Sequence, residues 1–155
     1  MPQVARCFGN TPIGDQSWEI VVTVRKVQPQ ALFQRSVDGR VLYSHVVMAE
    51  AKSLIFISGQ LARDKSGQIV APGNMREQIK QVGQNLRAAL EEIGSSLGDL
   101  VKTTTFVTDI DEFFKHSDVR HEFLGAALPA STTVEVRRLS HPDLMVEIEA
   151  IAVRG

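Results

Sequence analysis

The sequence predicts an α+β domain in which helices cover one face of a β-sheet. Two observations predict this class: a long stretch with helical periodicity, and several stretches of β-branched residues that alternate with helical ones. Their order, β-β-α-β-α-β-β, predicts a helical layer packed on a sheet. At 155 residues, the chain is long enough for one domain with its own core.

The most regular helix is predicted between Asn74 and Gly94. Asn74 can cap its first turn, Glu77 completes a capping box, and Gly94 suits its end. A second helix is predicted from the acidic residues at Asp109 to Gly125. In the first helix, apolar residues recur at steps of three and four and so share one face: Met75, Ile79, Val82, Leu86, Leu90 and Ile93.

Four segments rich in β-branched residues predict the main strands: 54–58, 101–108, 132–137 and 144–153. In the last segment, alternation puts Ile148 on one face and Glu147 and Glu149 on the other. The second face mixes carboxylates with apolar residues, which favours packing against another subunit over exposure to water. Upstream, Asp38-Gly39 predicts a tight hairpin turn, because this dipeptide tolerates positive φ angles.

The domain is assigned to residues 31–155, and residues 1–30 form an N-terminal extension whose stretch 19–27 alternates like an extra edge strand. The net charge of −1 and the ordinary composition give no reason to expect nucleic acid as a partner. The lone Cys7 and the absence of a signal-peptide pattern predict a cytoplasmic protein. No apolar run approaches the roughly 20 residues that cross a membrane.

The polar residues yield few candidates for chemistry. No metal site is predicted, since His116 and His121 diverge on a helix and lack further ligands. The acidic residues near Asp109 suit a helix N-terminus better than a cation site. Glu147 interrupts an apolar strand, where desolvation would raise its pKa into the range of a general acid or base. An interface ion pair or hydrogen bond explains Glu147 equally well, and both interpretations stay open.

Several strings in consistent order resemble the RidA/YjgF family, also known as L-PSP endoribonuclease or translation-inhibitor proteins. The resemblance extends from about Tyr43 to Arg154 and does not cover the N-terminal extension. The matching strings are Tyr43-Ser44-His45, 54–60, 78–94, 101–109, Pro129-Ala130, 133–136 and 146–153.

This resemblance implies a chorismate-mutase-like fold with two helices packed on one face of the sheet. It also implies a homotrimer with clefts between neighbouring subunits. The implied activity is hydrolysis of enamines and imines to ammonia and a 2-oxo acid, with no cofactor. Tyr43, Ser58 and Gly59 would line the cleft. Thr133 would offer backbone groups, and Glu147 would orient the attacking water.

One position departs from the family pattern. Family members with this activity carry an arginine after Pro-Ala, where this chain has Ser131. A serine supplies neither the charge nor the planar fork that binds a carboxylate. Ser117 replaces a frequent asparagine in the same implied wall. Arg120, nearby on the second helix, is a candidate replacement cation, although a solvated helix arginine is the simpler interpretation.

Three functions follow from the sequence. The first is an enamine or imine deaminase with altered substrate specificity, because Ser131 replaces the family arginine. The second is a non-catalytic trimer that binds a small carboxylate or imine-type metabolite, or regulates a partner. The third, an endoribonuclease, fits poorly with the near-neutral charge and the lack of a basic aromatic strip.

Overall fold

The computed structural model describes residues 22–155, and the earlier part of the predicted extension, Cys7 included, lies outside the described residues. Five strands precede or flank the first helix: β1 Thr23–Val27, β2 Ser36–Val37, β3 Arg40–Val41, β4 Val46–Glu50 and β5 Ser53–Leu61. The remaining elements are α1 Met75–Glu91, β6 Leu100–Val107, α2 Ile110–Lys115, α3 Ser117–Leu124, β7 Ala130–Glu135 and β8 Val146–Arg154. The predicted α+β class is confirmed.

The main sheet of the described region has the strand order β5-β8-β6-β7. Strands β5 and β6 both pair with β8 in antiparallel register, whereas β6 and β7 run parallel and join through the helical segment between them. All four predicted main strands are present. Strand β7 forms one edge of this sheet, and Ser44, just after the β2-β3 hairpin, makes an isolated parallel bridge to Ala130 at the start of β7.

The helices cover one face of this sheet, which we call the covered face. Side chains from α1, α3 and the covered face of β8 form one apolar cluster, including Ile79, Leu86, Phe123, Val146 and Ile148. Burial of these side chains is the main force that holds the layers together. The opposite side, which we call the open face, carries Leu54 and Phe56 with exposed fractions of 64% and 74%.

Helix α1 begins where the sequence predicts. The Asn74 side chain accepts a hydrogen bond from the Glu77 backbone N–H at 3.1 Å. The second half of the predicted capping box does not form, because the Glu77 carboxylate instead accepts from Lys80 Nζ at 2.7 Å. Ile93 lies beyond the helix and is 41% exposed, so its predicted place on the buried face is wrong.

The second predicted helix is two helices. Asp109 caps α2 by accepting from the Glu112 backbone N–H at 2.8 Å, as its acidic start predicts. The helical backbone then breaks at His116, which has φ −108° and ψ 30°. The described region thus carries three α-helices where the resemblance implies two.

Two small antiparallel ribbons precede the main sheet. Strand β1 pairs with β4, and β2 pairs with β3 around the predicted turn, in which Asp38 and Gly39 have φ angles of 50° and 74°. Each arm of this hairpin has only two paired residues. None of the helices described for residues 22–155 is long and apolar enough to cross a membrane.

Candidate functional site

Arg120 lies inside the protein, with only 5% of its surface exposed. Its Nη1 donates to the Leu42 carbonyl oxygen and its Nη2 donates to Ser131 Oγ, each at 2.8 Å. Its buried Nε has no hydrogen-bond partner among the described residues. The interpretation of Arg120 as a solvated helix residue is therefore wrong, and α3 directs this side chain toward the edge strand β7.

The Arg120 guanidinium carries a positive charge that no described carboxylate balances. Burial lowers the pKa of this guanidinium to about 10, so the group remains a cation at neutral pH. None of the ion pairs found within residues 22–155 includes it. An unpaired buried charge is costly, and an anionic ligand would remove most of that cost. The arrangement thus has the charge and the donors that binding of a small anion requires.

A pocket of about 250 Å³ opens beside this guanidinium. None of the described residues that line it carries a carboxylate. Ser131 and Thr133 alternate along β7 and face the helices, and Ser131 Oγ also lies 2.8 Å from Thr103 Oγ1. This hydroxyl pair fixes the Ser131 side chain against Arg120. The lining residues are Arg35, Leu42, Tyr43, Phe114, Arg120, Ser131 and Thr133.

Sequence reasoning missed Arg35 and Phe114 as pocket residues. The Arg35 guanidinium carbon lies 3.9 Å from the centre of the Phe114 ring, at a distance typical of cation–π stacking. Arg35 precedes the short hairpin and belongs to no periodic pattern, so the sequence carries no signal for its position. Phe114 had a signal, since it is apolar and stands next to the buried Phe113, but that signal predicts a core residue and not a pocket residue.

Glu147 and Gly59 form a second group, on the open face, and Ser58 borders a separate recess with Phe56 and Glu149. Strand β5 contains a bulge between Ile57 and Gln60, which places Ser58 and Gly59 out of register with β8. A Cβ atom at Gly59 would overlap the Glu147 carboxylate, so only glycine leaves room for this side chain. Glu147 is half-buried and borders a surface recess with Phe106 and Arg138.

The structure divides the predicted site residues between the two faces of the sheet. Tyr43, Arg120, Ser131 and Thr133 meet in the pocket on the covered side. Ser117 lies nearby but borders a different recess, and its hydroxyl donates to the Phe114 carbonyl oxygen at 2.6 Å. The second group, around Glu147, lies behind the sheet. Within one chain, these two groups do not form a common cleft.

An α+β domain with an apolar open sheet face and an uncompensated cation beside an edge strand has the chemistry to bind a small anion. Comparison with known proteins gives the family. The family model described as Endoribonuclease L-PSP matches residues 33–154. The chain belongs to this family, the RidA/YjgF family, as its sequence motifs indicate.

Individual relatives agree with this assignment. A RutC family protein of Pyrococcus horikoshii is 41% identical over 113 residues, which cover 72% of this chain and 86% of the relative. The 2-iminobutanoate/2-iminopropanoate deaminase of Escherichia coli is 39% identical over 106 residues, covering 66% of this chain and 80% of the relative. A solved Rid-family protein of unknown function from Yersinia pestis superposes with a TM-score of 0.74 at 26% identity, covering 84% of this chain and 98% of that one.

Proposed function

We propose that this protein is a cofactor-independent hydrolase that deaminates small enamines or imines, and that Arg120 holds the substrate carboxylate. The observation that carries the proposal is the Arg120 guanidinium, which is buried, unpaired by any described carboxylate and hydrogen-bonded to Ser131 Oγ. Support for the reaction comes from the Escherichia coli relative, whose name states imine deamination. A near-neutral chain gives no comparable support to RNA cleavage.

The position of Arg120 supports an altered substrate specificity. The resemblance implies that other family members place an arginine where this chain has Ser131. Here the cation comes from α3, and its Nη2 lies 2.8 Å from that serine hydroxyl. A guanidinium binds a carboxylate through a planar fork whose direction matters. A cation that enters from the helical side therefore holds the carboxylate in a different orientation and selects different substrates.

The active cleft, in this proposal, lies between subunits of a homotrimer. Two observations support this: the Arg120 group and the Glu147 group lie on opposite faces of one sheet, and the open face exposes Leu54 and Phe56. Large exposed apolar side chains on a sheet face favour association. When a neighbouring chain packs on the open face, its edge can bring a second Arg120 group against Glu147.

The reaction then needs only positioning and one proton relay. Arg120 would bind the carboxylate, Thr133 would offer backbone groups, and the partner subunit's Glu147 would orient a water molecule. The water oxygen bonds to the C=N carbon as the C=N π bond breaks, and a proton of that water passes through the partner's Glu147 to the nitrogen. The C–N bond then breaks while the new hydroxyl group loses its proton and becomes the carbonyl, which releases ammonia and a 2-oxo acid. Positioning and general acid–base catalysis suffice because the protonated imine carbon is already electrophilic. We place this activity in the cytoplasm.

The test is ammonia release from 2-iminobutyrate generated in situ. We expect turnover by the native protein, a loss of about 10²- to 10⁴-fold in kcat for Glu147→Ala, and a rise of about tenfold to hundredfold in KM for Arg120→Gln. The matched controls are Glu149→Ala, on the same strand and face, and Arg87→Gln, an exposed helix arginine. Both should retain native rates.

Equal rates for the native protein and Glu147→Ala would contradict the catalytic proposal. Binding of 2-oxobutyrate that depends on Arg120, without any turnover, would instead select the non-catalytic ligand-binding trimer. Circular dichroism checks that each variant is folded before either result is interpreted.

A further inference from the structure

A second cation faces the pocket that contains Arg120. Arg35 lies immediately before the β2-β3 hairpin, whose chain continues into Leu42 and Tyr43. All three residues line the same pocket of about 250 Å³ as Arg120. The hairpin thus brings a loop arginine to the mouth of a site whose buried cation is on α3.

The Arg35 side chain is held in a way that leaves its donors free. Its guanidinium stacks on the Phe114 ring at 3.9 Å from the ring centre. Stacking occupies the flat face of a guanidinium and keeps its N–H groups available in the plane. No described residue accepts a hydrogen bond from Arg35, and none pairs with it as a carboxylate. The Arg35 guanidinium is therefore held in place by stacking, while its N–H groups have no acceptor among the described residues.

The pocket offers cations to two anionic groups of a ligand. Among the described residues that line it, two carry a guanidinium group and none carries a carboxylate. Arg35 is exposed at the mouth of the pocket, where water solvates it, so a monocarboxylate contacts Arg120 alone, whereas a ligand with two anionic groups contacts both cations. The polar lining apart from the cations consists of hydroxyl groups, which accept or donate hydrogen bonds without adding charge.

We propose that Arg35 selects substrates with a second carboxylate, so that the preferred compounds are imines of amino dicarboxylic acids. The inference rests on the proposed deaminase function and names its substrate class. Arg120 binds the carboxylate next to the C=N carbon, and Arg35 binds the carboxylate at the far end. The hydrolysis is unchanged: water adds to the C=N carbon, ammonia leaves, and both carboxylates remain in the 2-oxo dicarboxylate product.

The kinetic test compares 2-iminoglutarate with 2-iminobutyrate, each generated in situ by an amino-acid oxidase. The native protein should have the higher kcat/KM on 2-iminoglutarate. Arg35→Gln should lower that value by about tenfold while changing the value for 2-iminobutyrate by less than about twofold. Arg40→Gln is the matched control, since it removes the same charge from the same hairpin but outside the pocket. An unchanged substrate preference in Arg35→Gln overturns the inference.

A binding test separates this inference from the deaminase proposal. Calorimetry with 2-oxoglutarate and 2-oxobutyrate needs no turnover. The native protein should bind 2-oxoglutarate about tenfold more tightly, and Arg35→Gln should abolish this preference. That result supports the dicarboxylate site even if neither imine is hydrolysed. The inference of a dicarboxylate site is overturned if the native protein binds the two acids equally, or if the preference survives Arg35→Gln. Either result overturns it even if both imines are hydrolysed.

Discussion

The covered and open faces of the main sheet differ in how completely one chain buries their apolar side chains. On the covered face, Ile148 and its neighbours in β8 are fully buried under α1 and α3. On the open face, Phe56 is 74% exposed. Both faces carry apolar side chains, yet only the covered face is protected from water within the chain. The difference teaches that one chain buries the covered face by itself, whereas the open face retains apolar surface that a second subunit could cover.

The candidate site follows the same division. Arg120 and Ser131 lie on the covered side, where burial and hydrogen bonds already fix them. Glu147 lies on the open side, where it is half-buried beside the bulge at Gly59. Anion binding, in our proposal, is therefore a property of the single chain. Catalysis, in our proposal, is a property of the assembly.

The largest expected effect on stability contrasts the two faces directly. Ile148→Ala should lower the free energy of unfolding by about 2–5 kcal/mol, because the covered core cannot close the cavity. Phe56→Ala should change the unfolding of dilute, dissociated protein by less than about 0.5 kcal/mol and should weaken association instead. Urea unfolding and sedimentation velocity measure the two quantities. A large loss of monomer stability in Phe56→Ala, with association intact, would contradict the proposed difference between the two faces.

A smaller effect is expected from the bulge on the open face. Gly59→Ala introduces a Cβ that overlaps the Glu147 carboxylate, so this side chain must move. A displacement of this kind should lower kcat by up to about a hundredfold, with Arg120-dependent binding of 2-oxobutyrate retained. Gly98→Ala is the control, because its Cβ would meet only Ser96 Oγ, at 3.4 Å. Native kcat in Gly59→Ala would show that the position of Glu147 does not matter.

The smallest effect is a pH dependence of anion binding on the covered side. Arg120 must be protonated to hold a carboxylate, and its pKa is lowered to about 10 by burial. Affinity for 2-oxobutyrate should therefore stay constant from about pH 7 to 9 and fall by about tenfold per pH unit above the pKa. Arg120→Lys should shift this fall to lower pH, since lysine starts from a lower pKa. Calorimetry at several pH values checks both. Identical pH profiles for the native protein and Arg120→Lys would contradict the proposal that residue 120 holds the carboxylate.

Much of the architecture could be predicted from the sequence because it depends on local patterns. Helix α1 has a clear period and an Asn74 cap, and β8 alternates between its faces. The break at His116 could not be predicted, since no proline or glycine marks it. The turn there depends on contacts that a linear pattern does not record.

The candidate site was harder to predict than the fold. Arg120 precedes the buried Phe123 and Leu124 by three and four residues, so helical spacing does place it on the inner face of α3. The chemistry of an arginine side chain instead predicts an exposed position, because an arginine is rarely buried without a partner. Arg35 has neither a spacing nor a chemical signal. It reaches the pocket only through the path of the hairpin and its stacking on Phe114.

The central claim is that Arg120 of one subunit and Glu147 of another complete one cleft, and mixing two inactive variants tests it most directly. Arg120→Gln and Glu147→Ala are dissociated together and allowed to reassociate, and ammonia release from 2-iminobutyrate is measured. Statistical mixing leaves about a quarter of the clefts with both native side chains. The account predicts that activity returns to about that fraction of the native value. A mixture no more active than the two variants measured separately would contradict it.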